Sequence, residues 1–197
     1  MKKESKIYLF KDRQDYIKKI TEDNIYNITG EKGSGKSYFG NGKDNLEECV
    51  VIHLDPVFTV EGNPKHDYST EVRNLLLDNF GSPLLPDKYF EEKYYPIIVD
   101  YLKNSQKEGY IEGGSLAEIK DISQIKGVVI VKRTGVFKCF LRVLKRDYHN
   151  EYFMKEAIQK YGKLGKFMRL KNVIKRRKKI FKTYHEIEKF IERLELY

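Results

Sequence analysis

The octapeptide Gly30-Glu31-Lys32-Gly33-Ser34-Gly35-Lys36-Ser37 constrains this chain more than any other stretch. It follows a short β-prone run, Ile25 to Ile28 with Thr29 behind it, and it precedes residues able to start a helix. A G-x-x-x-x-G-K-S spacing between strand and helix is that of a phosphate-binding P-loop. Gly33 and Gly35 let the backbone curl so that successive N–H groups point inward, and a helix N-terminus adds positive potential for an anion. Lys36 would then reach the β- and γ-phosphates of ATP and Ser37 would offer its hydroxyl to Mg²⁺, with Gly30, Gly33, Ser34 and Gly35 completing the cradle. Gly40 and Gly42 fall inside the following helix, each costing about 1 kcal/mol of helix propensity, so that helix is expected to be short or distorted.

The loop needs a sheet to hold it, and the remaining apolar runs supply one. Cys49 to Leu54 and Val128 to Val131 read as buried strands, with weaker candidates at Tyr110–Ile111 and Ile180–Thr183. Helical spacing lies between and after them, at Phe137/Phe140/Leu141/Leu144 and at Ile187/Phe190/Ile191/Leu194. Strands alternating with helices predict an α/β chain with a mostly parallel sheet. The stretch from Glu61 to Pro96, punctuated by Gly62, Pro64, Gly81, Pro83 and Pro86, reads as loops and short helices on the substrate side, and the Tyr and Phe residues between Phe58 and Tyr95 would offer a stacking surface for a base or ring. KIYLFKDRQDYIKKI near the start and KIFKTYHEIEKFIERL near the end both read as strand-turn-helix pieces.

In a parallel sheet the C-terminal strand ends share one edge, and that edge collects the remaining candidates. Asp55 follows the CVVIHL strand and would face the γ-phosphate, where it is suited to accept a proton from an attacking hydroxyl; an ordinary Asp-Pro turn is the alternative. Glu112, at the end of the Tyr110–Ile111 strand, would orient Mg²⁺ through water or bind the acceptor, unless it is a solvated loop residue. Lys138, Arg142 and Lys145 fall on one helical face with Arg146 adjacent, opposite the Phe137/Phe140/Leu141/Leu144 face. Arg142 and Arg146 are suited to clamp a transferring phosphoryl group, although a charged face is more often simply solvated.

Composition sets the limits. The 197 residues, 40% of them hydrophobic and 13% aromatic, suffice for one domain with a core and exclude wholesale disorder. No apolar run approaches the roughly 18 residues of a membrane span, and the N-terminus lacks a secretory core, so a soluble cytoplasmic protein without a membrane partner is expected. Cys49 and Cys139 have neither disulfide-framework nor zinc spacing and read as buried thiols. The net charge of +9 is local: Lys155 to Lys182 holds twelve Lys or Arg and one acid, leaving the rest of the chain slightly acidic. That segment reads as a helix near the ligand edge or a solvated arm, and it makes a P-loop ATPase or regulatory protein bound to nucleic acid the alternative function.

GEKGSGKS, VVIHLDPVF, YIEGG and GVVIVKRTGVFKCFLRVLKRD, in that order, resemble the small P-loop kinases that phosphorylate nucleosides, nucleotides or related metabolites. HLDPVF with EGNPKHDYS is similar to the uridine kinase pattern, and LLLDNFGSPLL with the late strand-lid segment to dephospho-CoA kinase. The resemblance covers Ile25 to Asp147. It implies a three-layer sandwich of the P-loop NTPase, nucleotide-kinase-like kind around a five-stranded, mostly parallel sheet, in one domain over 1–197. Its core would span about 20–150 and 178–197, with a basic helical lid or extension at about 150–178. It also implies that the chain moves the ATP γ-phosphoryl group to a small-molecule acceptor, with Lys36, Asp55, Arg142 and Arg146 catalytic and Ser37 and Glu112 on the Mg²⁺ side. Pro56 departs from the small polar or acidic residue these families place after the strand-end acid.

Overall fold

Alternating apolar residues in short β-branched runs build a sheet with two buried faces. The computed structural model describes residues 6–10, 13–42, 46–57, 67–81, 89–175 and 177–197. Among them the strands are β1 (Lys6–Phe10), β2 (Arg13–Lys19), β3 (Ile25–Gly30), β4 (Cys49–His53), β5 (Glu108–Glu112) and β6 (Val128–Lys132). They lie in the order β1-β2-β6-β3-β5-β4. From β6 to β4 the strands are parallel, whereas β2 runs antiparallel to β6 and β1 antiparallel to β2. The molecule is therefore α/β with a parallel sheet core and an antiparallel hairpin at one side.

Two of the sequence expectations fail here. The sheet has six strands rather than five, because KIYLFKDRQDYIKKI forms a hairpin instead of strand-turn-helix. Tyr16 and Ile20 face one core and Ile17 the other, a two-residue alternation that is satisfied once β6 is there to pair with. Ile180–Thr183, expected as a strand, lies in a helix. Ile180 extends the same helical stripe as Ile187, Ile191 and Leu194, and it packs against Cys139 and Val143.

The helices flank the sheet unequally. They are α1 (Lys36–Asn41), α2 (Leu54–Val57), α3 (Asp67–Phe80), α4 (Tyr95–Asn104), α5 (Val136–Tyr148), α6 (Glu151–Tyr161), α7 (Gly165–Lys175) and α8 (Arg177–Leu196). On one face Ile25, Val50, Ile52, Ile111, Val129 and Val131 pack against apolar residues of α3, α4 and α8, forming the main core. On the other, Ile28, Cys49, Val51, Tyr110 and Ile130 meet Phe39 of α1. The 61–96 stretch is more regular than expected, since α3 alone runs for 14 residues. Of the aromatics between Phe58 and Tyr95, Phe90, Tyr94 and Tyr95 are buried and offer no stacking face, Tyr68, Phe80 and Tyr89 are half-buried, and Phe58 lies outside the described residues. The Tyr95 hydroxyl donates to Asn27 Oδ1 at 2.9 Å and accepts from the Lys126 amide at 3.0 Å, and burial pushes its pKa far up. Among the described residues no helix is long and apolar enough to cross a membrane.

Candidate functional site

Four parallel strands end on the same edge, and each delivers a candidate there. β3 runs into the Gly30–Ser37 loop, β4 into Asp55, β5 into Glu112 and Gly114, and β6 into the turn that starts α5. Within the loop Gly33 and Gly35 hold φ of 90° and 96°, values that L side chains rarely adopt. At Gly33 a Cβ would also lie 2.9 Å from the Cys139 carbonyl oxygen of α5. The loop is pinned from beneath: the Ser34 amide donates to the Glu31 carbonyl at 2.9 Å, and Thr134 Oγ1 donates to the Ser34 carbonyl at 3.2 Å. Ser34 Oγ is buried without a hydrogen-bond partner among the described residues.

A cleft of about 370 Å³ opens over this loop. Gly30, Gly33, Gly35, Lys36 and Ser37 line it from the loop, Asp55 from the first turn of α2, Gly114 from beyond β5, and Arg142 and Arg146 from α5. Of the residues expected from separate stretches of sequence, Asp55, Arg142 and Arg146 thus share one cavity with the loop, whereas Ser34 and Glu112 are not among those lining it. Arg142 is half-buried and donates through Nη1 to the Gly33 carbonyl at 3.2 Å, so the helix is tied to the loop it overhangs. Arg146 is exposed and pairs with Asp147 at 2.9 Å. Asp55 is exposed within the cleft and sits in a short helix rather than at a strand end.

The packing of α5 differs from the expected face. Cys139, Val143 and Asp147 are its buried stripe, while Phe137 is 70% and Leu141 45% exposed and Phe140 and Leu144 are half-buried. The loop itself supplies the reason, because its glycines offer a flat surface that small residues can approach. Lys138 and Lys145 are not among the lining residues. Cys139 donates its thiol hydrogen to the Thr134 carbonyl at 3.2 Å, and burial pushes that thiol up to about 11. Both cysteines are buried thiols outside any disulfide, as expected.

Glu112 is no solvated loop residue. It is buried, and one carboxylate oxygen accepts from Ser37 Oγ at 3.2 Å while the other lies 3.0 Å from His53 Nδ1. His53 and Glu112 are direct partners in the β4–β5 register, which is why their side chains meet. Gly40 makes room for them, since a Cβ there would come within 2.8 Å of His53 Cε1. As expected, α1 is short, at six residues. Among the described residues no group of three or more His, Cys, Asp or Glu side chains is placed to hold a metal ion.

Sequence reasoning missed His53, Glu31, Arg133, Thr134 and Thr183. Glu31 is fully buried next to Gly30, and Arg133 follows β6 and reaches it. Thr183 of α8 completes the cleft. Only His53 carried a usable signal, since the parity of β4 puts it on the same face as Cys49 and Val51.

Compared with protein-family models and with curated proteins, the chain finds no match.

Proposed function

We propose that the protein is an ATP-dependent phosphotransferase with a P-loop NTPase fold, a small-molecule kinase whose acceptor is a nucleoside, nucleotide or related metabolite. The observation that carries this reading is the shared cleft in which the Gly30–Ser37 loop, Asp55, Arg142 and Arg146 meet. Phosphoryl transfer spreads charge over non-bridging oxygens, so a protein catalyses it chiefly by positioning and neutralising. Loop amides and Lys36 hold the donor phosphates. Arg142 and Arg146 add cationic donors from α5, and Asp55 orients the acceptor hydroxyl and takes its proton. Ser37 Oγ and the Glu112 carboxylate are hard oxygen donors 3.2 Å apart, a pairing that suits Mg²⁺. When bound there, Mg²⁺ neutralises charge on the phosphate oxygens. Two cysteines outside any disulfide and a need for ATP go with a cytoplasmic location.

The test offers ATP and Mg²⁺ with a panel of nucleosides, nucleoside monophosphates and dephospho-CoA, and reads ADP release. One acceptor class should raise ADP release well above the acceptor-free rate. ADP release indifferent to every acceptor points instead to the second reading, a P-loop ATPase or regulatory protein that binds nucleic acid. Exposed Lys155, Lys160, Lys163, Lys166, Lys171 and Lys175 on and between α6 and α7 favour that reading, with exposed Phe167 beside them. Arg169 of the same stretch is buried, donating to the Asp147 carbonyl and lying over the Phe153 ring, and serves packing instead.

A further inference from the structure

A loop built to bind anions has a carboxylate directly behind it. Glu31 is the second residue of the Gly30–Ser37 loop, and its side chain is fully buried. Oε1 lies 3.4 Å from Arg133 Nε, while Oε2 is buried with no hydrogen-bond partner among the described residues. Burial raises the Glu31 pKa, and the Arg133 charge works in the opposite direction. An ionised carboxylate in a weakly screened interior, flanked in the chain by cleft-lining Gly30 and Lys32, repels any phosphate the loop would hold.

Arg133 is built to cancel that charge. It follows β6 directly, and its amide donates to Asp15 Oδ1 at 3.4 Å. Its Nη2 donates to Tyr184 Oη at 3.2 Å and to Glu188 Oε1, both on α8, and the guanidinium lies over the Tyr184 ring at 5.5 Å. These contacts fix the guanidinium between α8 and the back of the loop, a three-way span that the planar fork of Arg can make and the single ammonium of Lys cannot. The neighbouring Thr134 grips the Ser34 carbonyl, so the same turn holds both the shape of the loop and its charge balance.

We propose that Arg133 is a positioning residue that neutralises Glu31 beneath the loop and so sets the affinity of the site for a nucleoside triphosphate. The inference rests on the nucleotide-binding reading above. It predicts a dependence specific to the pair: removing Arg133 harms binding because Glu31 is there, and removing Glu31 as well repairs it. A purely structural Arg133 would leave the double variant as weak as the single.

The experiment measures Mg²⁺·ATP affinity by calorimetry for the full chain as wild type, Arg133→Met, Arg133→Lys, Glu31→Gln and Arg133→Met/Glu31→Gln, with thermal unfolding of each variant without nucleotide. Arg133→Met should weaken binding about tenfold or more, and Arg133→Lys should fall between it and wild type. Glu31→Gln should bind at least as tightly as wild type, and the double variant should return to within a few-fold of Glu31→Gln. Wild-type affinity in Arg133→Met, or no recovery in a double variant that unfolds cooperatively, overturns the proposal. If Arg133→Met does not fold, Arg133→Lys alone and combined with Glu31→Gln carry the same comparison. Wild-type protein that binds no Mg²⁺·ATP removes the nucleotide reading itself, whereas binding that ignores the pair removes only this inference.

Discussion

Lys36 and Asp55 enter the same cleft from the first turns of α1 and α2, and the proposed chemistry asks different things of them. Lys36 faces donor phosphates, so Lys36→Ala should lose both nucleotide affinity and turnover. Asp55→Asn keeps the size and a hydrogen-bond acceptor but cannot take a proton. It should hold ATP within a few-fold while acceptor phosphorylation falls about 10²- to 10⁴-fold, the usual range for a lost general base. Parallel calorimetry and ADP-release assays check the contrast, and wild-type phosphorylation in Asp55→Asn would reduce Asp55 to a turn residue. Glu31 gives a prediction of the opposite kind, in stability. Its pKa is raised in the folded state by burial, so the fold binds the Glu31 proton more tightly than the unfolded chain does. The stability tied to that proton is complete below the unfolded pKa and is lost as pH rises through the folded value. Glu31→Gln, neutral throughout, should therefore match wild type in acid and unfold at a higher temperature near neutrality. Melting curves from about pH 4 to pH 8 test this, and a gap that shrinks with rising pH would contradict it.

At the scale of elements, the short helix α1 shows a local preference overruled by packing. Ala in place of Gly40 would improve helix propensity by up to about 1 kcal/mol. The same Cβ would enter the buried His53 ring at 2.8 Å, and forced overpacking costs about 1–3 kcal/mol. The clash should win. Gly40→Ala is expected to lower the unfolding midpoint and to disturb the Glu112 carboxylate that His53 and Ser37 share. A stabilised Gly40→Ala protein would mean that the ring moves aside freely. The helix α5 follows a similar logic. Its periodicity in sequence favours the bulky Phe137/Leu141 side, yet Cys139 and Val143 are the residues that lie against the glycine loop.

For the whole molecule, the question is whether the positive charge serves the cleft or a separate partner. The cations of α6 and α7 other than Arg169 are exposed, and none of them lines the cleft. Neutralising Lys163, Lys166 and Lys171 together as Gln should therefore leave small-molecule turnover within about twofold, since exposed charges beyond a Debye length are largely screened. If this surface holds nucleic acid, the same variant should bind it more weakly and with a shallower salt dependence, by about 0.9 in log–log slope for each B-DNA phosphate it no longer neutralises. Filter binding over a salt series reads both quantities, and absence of binding even at low salt would end the nucleic-acid reading.

What the chain determines by itself is whatever depends on near neighbours in sequence. The Gly30–Ser37 loop was legible because its glycines and Lys-Ser pair act through backbone conformation over eight residues. Strands β3, β4 and β6 were legible because a buried parallel strand is a continuous β-branched run. The shared edge of a parallel sheet also made Asp55 legible as a residue facing the loop. Only tertiary structure could decide the rest, because it depends on pairing between distant segments. The β1–β2 hairpin exists because β6 offers an edge to pair with, and Ile180 is helical because Cys139 and Val143 stand opposite it. His53 meets Glu112 through strand register, and Glu31 meets Arg133 across about a hundred residues of chain. No local pattern encodes such a partner, since a charge in sequence carries no record of which opposite charge the fold will bury beside it.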